Sequence, residues 1–257
     1  MKKKLGYLPK FYIYQYLKLA FRITLFVLPL VLYIVNRLEG SPLPFGENGT
    51  YPAFWWISWI LLTAGMILRF FPSKLEPIGS QKQLKCNYVP ANEEEPKLPS
   101  PKGTFIFAVL WIGANLIFGI LYLTDVIDAG MLVLLTFAYG VCDIVCILFF
   151  CPIRDLFLKN KCCTDCRIYN WDYAMMFTPF IFIPHVYTWS LLALGLVLLA
   201  VWEITLKLHP ERFAKNTNAS LACQNCKERP CRHKRRIARI LKSGKDKLSK
   251  LSWWKQK

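Results

Sequence analysis

The chain has 257 residues, of which 54% are hydrophobic, with a mean hydropathy of +0.30 and a formal net charge of +17. So apolar a composition excludes an ordinary soluble domain of this length. The apolar residues also fall into blocks, which predicts an all-α integral membrane protein rather than a diffusely hydrophobic core.

Residues 1–18 form a basic amino-terminal segment. The first block follows at Leu19–Asn36 and the second at Phe54–Phe71. Each holds roughly the twenty residues needed to cross a ~30 Å hydrocarbon core. They predict a hairpin of two spans over 19–71. The first block starts far from the amino terminus and has no small-x-small site after it, so it reads as a retained anchor rather than a signal peptide. Pro72–Gly103 carries six prolines, the run Glu93, Glu94, Glu95 and Cys86, and reads as an irregular or partly ordered loop.

Thr104–Leu123 and Met131–Cys151 predict a second hairpin over 104–151. Asp143 lies inside it. A carboxylate at depth costs about 2.5–3.5 kcal/mol on insertion scales and tends to face a cavity or a partner. Cys142 and Cys146 flank it, Tyr139 lies one turn back, and Asn115 on the preceding span is a candidate hydrogen-bond partner. The functional reading is a proton relay or cation-binding carboxylate. The plainer one is a protonated Asp bonded across helices for packing.

The loop 152–170 contains Cys162 and the pair Cys163/Cys166. The apolar stretch after it, 171–208, is interrupted by Pro179 and Pro184. A turn near Tyr187–Ser190 would make it a third hairpin, for six transmembrane helices in all. The alternative is a re-entrant Tyr173–Pro184 followed by one span, which requires protein to cover backbone at membrane depth. Asp172 beside Trp171 reads as an interfacial anchor, Glu203 as a residue of the inner vestibule, and His185 as a hydrogen-bonded loop residue.

The tail 209–257 holds a second pair, Cys223/Cys226, with Cys231 and His233 close behind. Sixteen Lys and Arg lie from Lys207 onward, and 30 of the 33 in the chain fall in the four segments assigned to one face. Lys and Arg are retained on the cytosolic side, which places both termini there and makes the number of spans even. Such a topology gathers the two C-x2-C pairs on one face. Four thiolates in a reducing compartment are the usual sphere of a metal, so Cys163, Cys166, Cys223 and Cys226 are the predicted ligands, with Cys162 and Cys231 as additional ones. Zinc is favoured, because neither run fits the common iron–sulfur spacings; an iron–sulfur cluster is the alternative.

Beyond Cys231, Ile237, Ile240, Leu241, Leu248, Leu251, Trp253 and Trp254 recur at helical spacing among cations. This amphipathic pattern points to anionic lipid of the bilayer surface in preference to nucleic acid. Short loops and the absence of a cleaved signal favour a bacterial plasma membrane. No phosphate-binding glycine loop or G-x-S-x-G elbow occurs, which leaves out a nucleotide-driven pump. Three function classes remain. They are a structural or protein-docking platform built on the metal module, a cation or small-solute transporter using Asp143, and a membrane electron-transfer subunit.

Overall fold

The computed structural model describes residues 10–39, 52–91, 95–158, 164, 166–226, 228, 231–237 and 239, and no strand occurs among them. The helices are α1 (Lys10–Glu39), α2 (Pro52–Ile67), α3 (Ile78–Gln81), α4 (Pro101–Leu123), α5 (Ala129–Leu148), α6 (Asp172–Phe177) and α7 (Val186–Leu208). A 3-10 turn, Leu68–Phe70, prolongs α2. Among the described residues, five stretches are long and apolar enough to cross a membrane: Phe11–Glu39, Ala53–Phe70, Pro101–Leu123, Ala129–Leu148 and Val186–Leu208. Their outward faces carry exposed Leu, Ile and Val, such as Val109, Ile117 and Val197. Lipid in place of water removes the cost of that exposure.

Local chemistry sets the helix ends. Ser100 caps α4 with Pro101 at its first position, where a missing N–H costs nothing. Asp128 caps α5 by accepting from Met131 N at 2.9 Å. The same carboxylate accepts from Tyr33 and Arg37 near the far end of α1. At the opposite end, Phe11 and Tyr12 pack on Ile144 and Leu148. α1 and α5 are therefore antiparallel along their length. We call the end that holds Phe11, Arg69 and Leu148 the basic end.

The expected fifth span is not a twenty-residue helix. Tyr169–Trp171 is a 3-10 turn, α6 has six residues, and Thr178–Phe182 is again 3-10. Pro179 brings no N–H to the ladder and crowds the preceding turn, while the Thr178 hydroxyl donates to the Ala174 carbonyl at 2.8 Å. The break is covered by protein: Tyr173, Met176, Phe177 and Phe180 are each at most 4% exposed. The turn predicted near Tyr187–Ser190 falls earlier, at Ile183–His185, and those four residues already belong to α7. His185 caps α7 in a reciprocal box with Thr188. Gly195 lets α7 approach α6, since a Cβ there would lie 3.3 Å from the backbone of Tyr173 and Ala174.

The loop after α2 is packed against the tail. Within 72–91 the chain folds into α3 and a 3-10 turn, Lys85–Asn87, and buries Glu76, Ser80, Gln81, Lys82 and Gln83. Pro90 pairs with Asn218, Ala91 N donates to Thr217 O at 3.0 Å, and Arg212 donates to Gln83 O at 3.1 Å. Proline content suggested irregularity, but these tail contacts supply the hydrogen bonds that a regular element would make internally. Lys82 sits under the joint, 1% exposed, donating to the carbonyls of Thr164 and Cys166 at 2.9 and 3.0 Å. The rings of Trp202 and Phe213 lie 5.1 and 5.4 Å from its ammonium.

Candidate functional site

Three cations and three carboxylates meet inside the basic end. Lys18 and Arg22 come from α1, Arg69 from the turn after α2, Glu76 from the following loop, Asp143 from α5 and Asp172 from the start of α6. Arg69, 1% exposed, holds Asp172 through both guanidinium nitrogens at 2.5 and 2.6 Å and lies 3.7 Å from Glu76. Lys18 approaches Glu76 at 3.6 Å. Arg22, also 1% exposed, donates to the Gly140 carbonyl at 2.7 Å and to Asp143 at 3.1 Å. Gly140 makes that reach available, since a Cβ there would be 2.8 Å from Met176 and 3.5 Å from the Arg22 stem.

Tyr173 is the hub. Its ring centroid lies 4.6 Å from Arg69 Cζ, 5.3 Å from Arg22 Cζ and 5.6 Å from Lys18 Nζ. An aromatic face attracts cations most where water is excluded, and this residue is 1% exposed. The formal charges balance, as a desolvated cluster requires. Even so, Arg22 Nη2, Arg69 Nε and Glu76 Oε2 lack hydrogen bonds among the described residues.

Two of the carboxylates face open space. A cavity of about 130 Å³ lies between α5, α6 and the chain that follows α5. Asp143, Asp172, Arg154, Tyr139 and Trp111 line it, together with Cys142, Cys146, Cys151, Cys166, Met175 and Met176. A second cavity of about 130 Å³ lies toward the other end, walled by Trp55, Trp59, Phe137, Phe180, His185 and Leu191. Between them stands the broken helix. Its rings stack in a ladder, Tyr173 on Phe177 at 6.1 Å and Phe177 on Phe180 at 5.7 Å, with Phe177 fully buried.

Asp143, which the sequence singled out with Asn115 as its candidate partner, is paired with Arg22. Asn115 instead donates to Trp111 O at 2.9 Å. Asp172 is no interfacial anchor, being 4% exposed and locked to Arg69. Glu203 takes both nitrogens of Arg167 and the Trp171 indole N–H. The sequence signal that could have revealed this site was the pair of arginines just inside the ends of two apolar blocks, facing Asp143 and Asp172 in two others.

The predicted thiolate ligands are divided. Cys162 and Cys163 lie outside the described residues. Cys166 borders the cavity near Asp143, whereas Cys226 borders a separate cleft of about 660 Å³ with Cys86, Glu76 and Glu228. Cys223 is exposed, and Cys231 opens the helical turns at 231–237. Among the described residues no three His, Cys, Asp or Glu side chains are gathered as a metal would need. The tail is nonetheless docked. Tyr12 donates to Glu228 O at 2.7 Å, the Glu228 side chain accepts from Ile78 N at 2.7 Å, and His233 stacks on Tyr12 with centroids 4.3 Å apart. Burial pushes the Glu228 carboxyl up to about 7. No protein-family model, curated protein or solved structure matches this chain.

Proposed function

We propose that this chain is a six-crossing membrane carrier for a cation, with Asp143 and Arg22 as its binding gate. The observation that carries the reading is the pair of cavities stacked along one broken, protein-covered helix, with two carboxylates on the wall of one of them. Discontinuous helices at repacking sites are how many carriers expose one site to alternate sides. A cation entering from the basic end would meet Asp143, take over part of its charge from Arg22, and free that guanidinium to move. Arg22 retains the Gly140 carbonyl as an alternative acceptor. The Tyr173–Phe177–Phe180 ladder then serves as the closed barrier.

The sixth crossing is supported by arithmetic. The 3-10 turns and α6 rise about 25 Å over Tyr169–Phe182, close to a ~30 Å core. The loop after α2 and the tail after α7 touch, so both lie at one end, and an even number of crossings must separate them. With α4 and α5 crossing, α7 needs one more partner. The cation distribution along the chain favours the cytosol for that end and for both termini.

The test uses the full chain reconstituted in liposomes loaded with pyranine to read protons and with a fluorescent chelator to read Zn(II) or Cu(I). We expect flux of at least one probe above empty vesicles, abolished in Asp143→Asn. Wild-type vesicles as tight as empty ones would refute the carrier reading.

A second reading keeps the thiolate platform, because the docked part of the tail carries Cys226 to the cleft that it shares with Phe11 and Cys86 at the basic end. On that reading Cys163, Cys166, Cys223 and Cys226 bind zinc, or an iron–sulfur cluster, and the face docks a protein partner while the basic tail lies on anionic lipid. Elemental analysis of anaerobically purified protein with an optical spectrum separates the ions. Metal-free protein would remove this reading.

A further inference from the structure

We infer that the cavity at the basic end is a site for a soft, thiophilic monovalent cation of the Cu(I) class, ligated by Cys146 and Cys151. The inference deepens the carrier reading, resting on the same cavity as its cation site, but it concerns binding and can be tested without flux.

The chain makes the pair locally. α5 ends at Leu148, and Phe149 takes φ −115 and ψ −78 as its cap, which turns the following residues back beside the last helical turn. Cys151 thereby comes back to the cavity that Cys146 also lines. Cys142 stands one turn earlier on the same helix. Cys166 is delivered from the loop that Lys82 pins by its backbone carbonyl, and Met175 and Met176 come from α6. Six sulfur side chains thus line one small cavity.

Sulfur selects the ion. Thiolate and thioether donors prefer Cu(I), while magnesium and calcium prefer oxygen. A closed-shell monovalent ion accepts two thiolates in a line, so two cysteines on one cavity wall suffice, although among the described residues no three ligands are gathered as zinc would need. Charge agrees. Lys234 donates to the Cys146 carbonyl at 2.6 Å, and Arg154 shares the cavity wall, so two positive groups offset the net negative charge of a dithiolate complex. Binding forms two Cu–S bonds, breaks two S–H bonds and sends two protons to solvent, with the ion supplied as Cu(I) and no electron transferred.

The experiment is an anaerobic titration of the detergent-purified full chain with Cu(I), in competition with bathocuproine disulfonate. One high-affinity Cu(I) per chain is expected, with a thiolate-to-copper charge-transfer band in the ultraviolet. Cys146→Ser/Cys151→Ser should weaken binding by more than the ~10–100-fold that changes in an outer shell cost, with the thermal melt of the apoprotein unchanged. The triple variant Cys163→Ser/Cys223→Ser/Cys226→Ser should bind as wild type. Should the Cys146/Cys151 double variant melt early, Cys146→Met, which keeps a sulfur donor, must restore binding toward wild type. Unaltered affinity in the folded double variant, or loss confined to the triple variant, overturns the inference. Tight Cu(I) binding without flux in liposomes would leave this site standing and remove only the carrier.

Discussion

Arg69 ties several segments of the basic end together. It spans Asp172 and Glu76 while lying against the Tyr173 ring, and all four groups are buried. Removing one partner of such a pair leaves an uncompensated charge away from water, which costs about 3–5 kcal/mol. Arg69→Met should therefore lower the unfolding free energy by that amount in a reversible detergent titration. Asp172→Asn should fall in the same range. At Tyr173 the ring and the hydroxyl separate cleanly. Phe preserves the face seen by three cations, whereas Leu removes it, so Tyr173→Leu should be less stable than Tyr173→Phe by about 2 kcal/mol or more. Equal stability of the two variants would deny the ring its part in the cluster. In the sequence these cations read only as topology markers at helix ends, because linear spacing says nothing about which carboxylate a neighbouring helix brings. Asp172 was misplaced for a related reason. Following Trp171 it has the look of an interface pair, and only the fold reveals that the chain turns inward there.

At the scale of elements, the apolar blocks were legible because each intact span repeats the same physical requirement, about twenty residues of hydrocarbon length. The broken helix was not. Its residues are as apolar as those of its neighbours, but its shape comes from Pro179 and from burial by α2, α4, α5 and α7, which no local pattern records. Those contacts yield a prediction about packing. At Gly195 an added Cβ would lie 3.3 Å from α6 backbone, so a branched side chain must push the two helices apart and tilt Tyr173 away from its cations. Gly195→Leu should cost about 1–3 kcal/mol. It should also loosen the amides of 172–182 in hydrogen exchange ahead of those in α4. Uniform loosening of all spans would mean that α6 is not held by this approach. The cysteine pairs show the same limit: C-x2-C spacing predicted one shared metal site, whereas the folded chain places Cys166 and Cys226 at different cavities.

Over the whole molecule, the charge pattern and the tertiary contacts make one joint claim about sidedness. The loop after α2 carries Cys86 and the tail after α7 carries Cys223, and both are exposed. The segments around them are joined by the Pro90–Asn218 bridge and by Glu228 on Ile78. If Tyr169–Phe182 crosses with α7, the two thiols share a face, which the proposed topology, with sixteen cations from Lys207 onward, assigns to the cytosol. A re-entrant segment would instead put an odd number of crossings between them and tear those contacts apart. In a background lacking the other cysteines, Cys86 alone and Cys223 alone should each resist a membrane-impermeant maleimide in intact cells and react with it in inverted vesicles. Opposite behaviour of the two thiols would reduce the bundle to five crossings and remove the two-sided cavity arrangement on which a carrier depends. Reaction of both from outside would keep six crossings but invert them, placing the sulfur-lined cavity toward the exterior.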